Sequence, residues 1–318
     1  MGNQRVFYAC QGICYNDVPV EGVQSLTMNT QQDNIVLDQY GSFTVHKIVP
    51  NYPEITINVS RIVSSGIDLI YSGTLEENIN THSNTMCLFI GKDTESKLAN
   101  SPPDDENYNV FLSGVSVNSV SYDFSANGNF TEQIELKTYH KLFNKCPVAK
   151  SIFTNLRTSG TVNRRQHLDT ADSVIATDLL PADARISNVS VNANFGIQDI
   201  KEFGMNVSNP NNIYRYATLP IITTTSVTAI INGSGLDFYD IDPVNHPQDP
   251  THLCKYSGLN SGIVPLKFVL CSNLELNAGT GSLTSVEYNG GDTGGGNVEV
   301  TLTFESANQF TLKRQPSS

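Results

Sequence analysis

The sequence predicts an all-β protein with minor helix, arranged as two tandem homologous domains of β-sandwich or barrel form. Three observations predict it. Apolar and polar residues alternate in short runs, the period of a strand with one buried and one exposed face. Glycine and asparagine clusters punctuate those runs, as in Ser125-Ala-Asn-Gly128, Asn232-Gly-Ser-Gly235 and Gly294-Gly-Gly296. The pattern also occurs twice. Val23–Thr30 (VQSLTMNT) returns as Ile186–Ala193 (ISNVSVNA) at an offset of 163 without a gap, and the copies run on to Tyr40-Gly41 and Phe203-Gly204. Ser116–Tyr122 returns as Ser282–Tyr288 at an offset of 166, and Gly66-Ile-Asp68 as Gly235-Leu-Asp237 at 169. Three anchors in one order imply an internal duplication, each copy close to half of the 318 residues.

The elements follow in chain order. Leu26 and Met28 alternate with Ser25, Thr27 and Asn29, and Ile55, Ile57 and Val59 with Thr56, Asn58 and Ser60. A short helix is predicted over Asp93–Ala99, capped by Asp93 or Thr94 and stopped before Pro102. A second lies at 151–157 or 171–179. In the later copy Val189 and Val191 alternate with Ser190 and Asn192, and Val300, Leu302 and Phe304 with Glu299, Thr301 and Thr303. A long polar loop follows the Gly-x-Asp point in each copy, Leu75–His82 and Asp242–His252, and loops of that length usually serve interactions. The arginine-bearing stretch around Arg157, Arg164 and Arg165 reads as a solvated linker. Two domains result: 1–155, opening with an N-terminal segment 1–22, and 156–318, opening with the linker 156–170. A chain this long exceeds a usual single core.

Composition narrows the function. A formal charge of −12 opposes a tight grip on nucleic acid, which needs phosphates neutralised. No apolar run approaches bilayer length, and the N-terminus has neither a basic start nor a long apolar stretch, so a protein made and used without export is expected. Six cysteines at 10, 14, 87, 146, 254 and 271 form no CxxC, and reduced thiols are the default expectation. Cys87 and Cys254, 167 apart, read as matched core positions. No nucleophile elbow, phosphate-cradling loop, zinc-protease helix or dinucleotide fingerprint is present, so no enzyme activity and no cofactor are expected. His246, His252, Asp242 and Asp249 could ligate a metal, but an acidic, proline-stiffened loop is the plainer reading. The absence of Trp argues against a sugar-binding cleft. Five Asn-x-Ser/Thr sequons reflect the abundance of those residues.

The two copies share an order of parts: a hairpin closed by an aromatic-glycine pair, an alternating strand, a long loop, then a Ser-Val-x-Tyr strand leading through a glycine turn into another alternating strand. Val115–Leu136 and Ser282–Phe304 carry it most clearly. That order resembles the tail tube proteins of tailed bacteriophages, over both halves of the chain. The resemblance implies rings whose inner strands close into one shared barrel around a channel. With two tube domains per chain, it implies three chains per ring with pseudo-sixfold symmetry. It further implies a virion protein assembled in the host cytoplasm. Its partners would be copies of itself, sheath or terminator and baseplate proteins, with the tape measure protein and DNA passing through the lumen. The long loops and residues 1–22 would carry ring-to-ring contacts. Asp123, Glu135, Glu287 and Glu299 sit opposite positions that should be buried, and are the candidates for lining an acidic channel. A solvated outer face is the competing reading for each. A baseplate hub or tube-initiating ring is the first alternative, and a two-domain adhesin or binding protein the second.

Overall fold

Ile55, Ile57 and Val59 occupy successive same-face positions of one strand and are buried to within 2%. That run is typical of the described strands: β-branched and aromatic residues on every second position give a strand one face to bury. The computed structural model describes residues 11–38, 40, 41, 43, 47–63, 73–74, 84–90, 109–126, 129–143, 185–200, 214–230, 263–270, 274–290 and 298–314. These hold strands β1 (Gln11–Tyr15), β2 (Val18–Pro19), β3 (Val23–Leu37), β4 (Lys47–Ile62), β5 (Gly73–Thr74), β6 (Thr85–Ile90), β7 (Asn109–Ser113), β8 (Ser116–Ser125) and β9 (Thr131–Thr138). They continue with β10 (His140–Phe143), β11 (Arg185–Asn194), β12 (Gln198–Ile200), β13 (Tyr214–Tyr216), β14 (Ile222–Ile230), β15 (Ile263–Leu270), β16 (Leu274–Asn289), β17 (Glu299–Ala307) and β18 (Thr311–Arg314).

The protein is all-β, with no helix among the described residues. The helices expected at 93–99, 151–157 and 171–179, the linker 156–170 and the loops 75–82 and 242–252 lie outside those residues, as do His246 and His252.

Two large antiparallel sheets organise the chain. The smaller runs β10-β7-β6-β1-β2. The larger runs β3-β4-β9-β8-β11-β14-β17-β16-β18-β5, with β15 also on β16. Its first eight strands form two runs of four, β3-β4-β9-β8 and β11-β14-β17-β16, joined where β8 pairs β11. Ile13, Met86, Leu88 and Leu112 of the smaller sheet share one buried cluster with Ile57, Leu136, Tyr122 and Val191 of the larger. The smaller sheet therefore covers an apolar face and leaves the opposite face of the larger sheet to water.

Within the N-terminal segment, β1 and β2 form a hairpin at one edge of the smaller sheet. Asn16 and Asp17 both take positive φ, 48° and 64°, making the two-residue turn that joins β1 to β2. Ile13 and Cys14 are buried beneath it. Asn16 ties the turn down, donating Nδ2 to Asn84 Oδ1 at 2.9 Å and accepting Thr85 N on its own Oδ1 at 2.9 Å. The cysteines divide as well. Cys14 is free and buried, and burial, with Asp17 nearby, pushes its thiol up to about 12. Cys87 is disulfide-bonded, so the default of reduced thiols fails there.

Beyond Thr30 and Ile55 the hairpin of β3 and β4 leaves the sheet. Its strands stay paired to Leu37 and Lys47, whereas β9 stops at Thr138 opposite Ile55. Gly41, at φ 83°, helps turn the tip at the expected Tyr40-Gly41. Ile35, Val36, Leu37, Tyr40, Phe43 and Ile48 are exposed on this arm. In the second half β12 and β13 pair beyond the ends of β11 and β14, as a separate two-stranded sheet.

Candidate functional site

Strand alternation builds the site. In β9, Glu132, Ile134, Leu136 and Thr138 are buried, so Thr131, Gln133, Glu135 and Lys137 face the other way. In β8, Val120, Tyr122 and Phe124 are buried and Ser119, Ser121 and Asp123 are turned out. The same division holds in β14 and β17, where Thr224, Ser226 and Thr228 lie beside Glu305, Thr303 and Thr301. The outcome is one face, eight strands wide, covered by serine, threonine, asparagine, glutamine and carboxylates.

The β8–β11 pair keeps this face continuous across the middle of the chain. Ser121 stands opposite Asn192, Asp123 opposite Ser190 and Ser125 opposite Asn188. Hydroxyls hydrogen-bond across strands, Ser226 to Thr303 at 3.3 Å and Thr228 to Thr301 at 3.0 Å. Such cross-strand pairs each contribute roughly 0.2–1 kcal/mol. A groove of about 550 Å³ crosses the first half, lined among others by Ser25, Asn58, Ser121, Gln133, Glu135 and Asn192.

Asp123, Glu135, Glu287 and Glu299 all lie on this polar face, opposite the buried Tyr122, Ile134 and Val300 and the half-buried Tyr288. Glu135 Oε1 accepts Asn118 Nδ2 at 2.5 Å. Asp123 Oδ1 and Asn188 Oδ1 are closed off from solvent and accept no hydrogen bond among the described residues. Glu54 and Glu305 join them, and the sequence reading missed both. Glu305 was within reach, because the alternation through Phe304 continues by one more residue. Glu54 is hidden by the prolines flanking it at 50 and 53. Against these carboxylates stands Lys137, which pairs Glu54 at 3.1 Å. That ion pair is partly exposed on both sides and so adds little stability.

The buried side of the first half holds a charge pair that sequence reasoning also missed. Arg61 Nε donates to Glu132 Oε2, and Tyr122 OH donates to Glu132 Oε1 at 3.0 Å. Arg61 is 1% exposed and Glu132 fully enclosed. The arrangement is a carboxylate held between a guanidinium and a phenol. The polar face offers hydroxyls and negative charge to whatever lies against it. No protein-family model matches this chain, and no curated protein matches it.

Proposed function

We propose that this chain is the tail tube subunit of a tailed bacteriophage, carrying two tube domains, of which three copies close into a ring around a channel for DNA. One observation carries the reading. The order β3-β4-β9-β8 is repeated as β11-β14-β17-β16, and the join between the runs continues one acidic polar face.

The repeat extends to single residues. At offsets of 163 for β3, 168 for β4 and β9, and 166 for β8, the registers of the first run fall on those of the second. Leu26 opposite Val59 corresponds to Val189 opposite Val227, Val59 opposite Ile134 to Val227 opposite Leu302, and Val120 opposite Ile134 to Val286 opposite Leu302. The bulge at Val23/Ser25 falls on that at Ile186/Asn188, and the bulge at Val117/Ser119 on that at Leu283/Ser285. Gly114 and Gly279 both take positive φ, 62° and 80°, just before the second bulge. Thr138 Oγ1 donates to Ser113 O at 2.6 Å, and Ser306 Oγ to Ala278 O. An arm-like pair also lies in the second half, where β12 pairs β13, but its register differs by one: Ile35 opposite Val49 would map to Gln198 opposite Ala217, whereas Gln198 lies opposite Tyr216. The same mapping sets Phe268 of β15, rather than Cys254, at the place of Cys87 in β6.

Two features of the face suit a conduit. Its carboxylates repel phosphate, and its hydroxyls offer only weak, exchangeable contacts to a passing duplex. A hub or tube-initiating ring is the second reading. The first-half arm favours it, because one exposed apolar arm per chain gives a ring of three chains three such arms, which suits a junction between symmetries.

Negative-stain electron microscopy of the purified protein at rising concentration, with native mass, tests the proposal. Rings or tubes with a central hole and three chains per ring are expected. A monomer at every concentration overturns it. Abundance in the particle separates tube from hub: many rings for a tube, one for a hub.

A further inference from the structure

The two ends of the eight-strand face are open edges of matching chemistry. Among the described residues β3 pairs only β4, and the stretch of β16 from Leu283 to Asn289 pairs only β17. Each edge has a counterpart inside the chain, where β8 meets β11. At that inner join Val120, Tyr122, Val189 and Val191 are buried to within 1%. Their counterparts at the open edges, Val286, Tyr288, Leu26 and Met28, are only partly buried. The edges therefore present the same apolar ladder, uncovered.

We infer that a second copy of this chain covers it, and that the seam between chains repeats the β8–β11 join residue for residue. The inference rests on the ring reading above and adds its register. Ser121 opposite Asn192 becomes Glu287 opposite Asn29 of the neighbouring copy. Asp123 opposite Ser190 becomes Asn289 opposite Thr27, and Tyr122 opposite Val191 becomes Tyr288 opposite Met28. Both sides of the seam keep the apolar residues on one face and the polar residues on the other. A slip of one residue would turn that pattern inside out, so the permitted errors are slips of two.

The inner join also sets the geometry of closure. Following paired residues from Leu26 through Val59, Ile134 and Val120 leads to Ala193, four residues on from Val189, the counterpart of Leu26. A shift of four residues over four strands, at about 3.3 Å per residue and about 4.8 Å per strand, tilts the strands about 35° from the ring axis, within the range of closed barrels. Two chains would then give a backbone diameter of about 30 Å, and three chains about 45 Å. With side chains lining the wall, three is the smaller number that clears a hydrated duplex.

Cysteine pairs test the register in the full chain. Ser121→Cys with Asn192→Cys is the positive control, linking two strands of one chain without joining chains. Asn29→Cys with Glu287→Cys should link chains on mild oxidation, giving dimers and closed trimers on denaturing gels. Asn29→Cys with Ser285→Cys, or with Asn289→Cys, should link at least tenfold less. Rings that link better through Ser285 or Asn289, or through no pair while the control links, overturn the register and leave the ring reading standing. Monomers by microscopy and mass, with no linked chains, remove the ring and the seam together.

Discussion

Under the proposed duplication, Arg61, Glu132 and Tyr122 mark a packing problem that the two halves solve differently. In the second half the corresponding positions are Ala229, Val300 and Tyr288, so a charged trio on one side answers to alanine and valine on the other. Removing one partner of a buried ion pair strands the other, at a cost of about 3–5 kcal/mol, whereas apolar replacement of both is often neutral. Glu132→Ala should therefore lower unfolding free energy by about that amount in denaturant titrations. Arg61→Ala with Glu132→Val, copying the second half, should recover at least half of the loss. A double variant no better than the sum of the singles would show that the pair is worth its desolvation. Cys14 gives a pH prediction at the same scale. Its thiol is raised from 9.0 to about 12 by burial, and burial raises the Tyr15 phenol in the same direction. The folded state thus favours the neutral forms. That stability is complete below pH 9 and is lost as pH rises toward 12. The melting temperature should fall between pH 8 and 10.5, and fall less in Cys14→Ala.

At the scale of elements, the arm of β3 and β4 is the part that packing leaves unexplained. It extends about seven residues, some 23 Å, past the last row shared with β9. Its exposed apolar tip is a cluster that soluble proteins normally cover. In the proposed tube it points along the axis, where the next ring would lie. Replacing residues 33–51 by Asn-Gly should leave rings intact and raise the concentration needed for stacking at least tenfold, as read by sedimentation. Tubes of ordinary length from that variant would return the stacking role to other segments. Truncating residues 1–18 would be a poorer test of stacking, because Ile13 and Cys14 are core and their removal would damage the smaller sheet. These elements also mark what the sequence could tell. Alternation through Ile55–Val59 and Val300–Phe304 placed strands and buried faces correctly, since period-two patterning is local. Ile13 and Cys14 carry no comparable alternation, and they pair with Leu88 and Cys87 of β6, some seventy residues away. Arg61 and Glu132 meet across 71 positions, a distance over which periodicity says nothing. The alternation of β3 gives way after Met28 to the polar run Thr30–Asn34 and the apolar run Ile35–Leu37, a pattern that by itself does not say that one strand continues through both as an arm.

The whole molecule is asymmetric in charge, and the polar face concentrates that asymmetry. Its carboxylates at 54, 123, 135, 287, 299 and 305 outnumber its cations, of which Lys137 is paired to Glu54. Converting Glu135, Glu287 and Glu299 to Lys would shift each chain by +6, from −12 to −6. Asp123 is left alone because its buried oxygen makes a lysine there disruptive. Assembled particles of the triple variant should retain DNA in a salt-sensitive manner, while wild type retains none at physiological ionic strength. Equal, weak retention by both would place these acids on an outer wall. The four-residue advance at the β8–β11 join bears on how such a wall meets DNA. Paired residues run across the strands, so in a closed ring every row of hydroxyls and acids climbs at about 35° to the ring plane. The lining is then a screw thread rather than a stack of hoops. A sliding duplex would meet each charge at its own height, the repulsion spread evenly along its path, with no single collar of negative potential to cross.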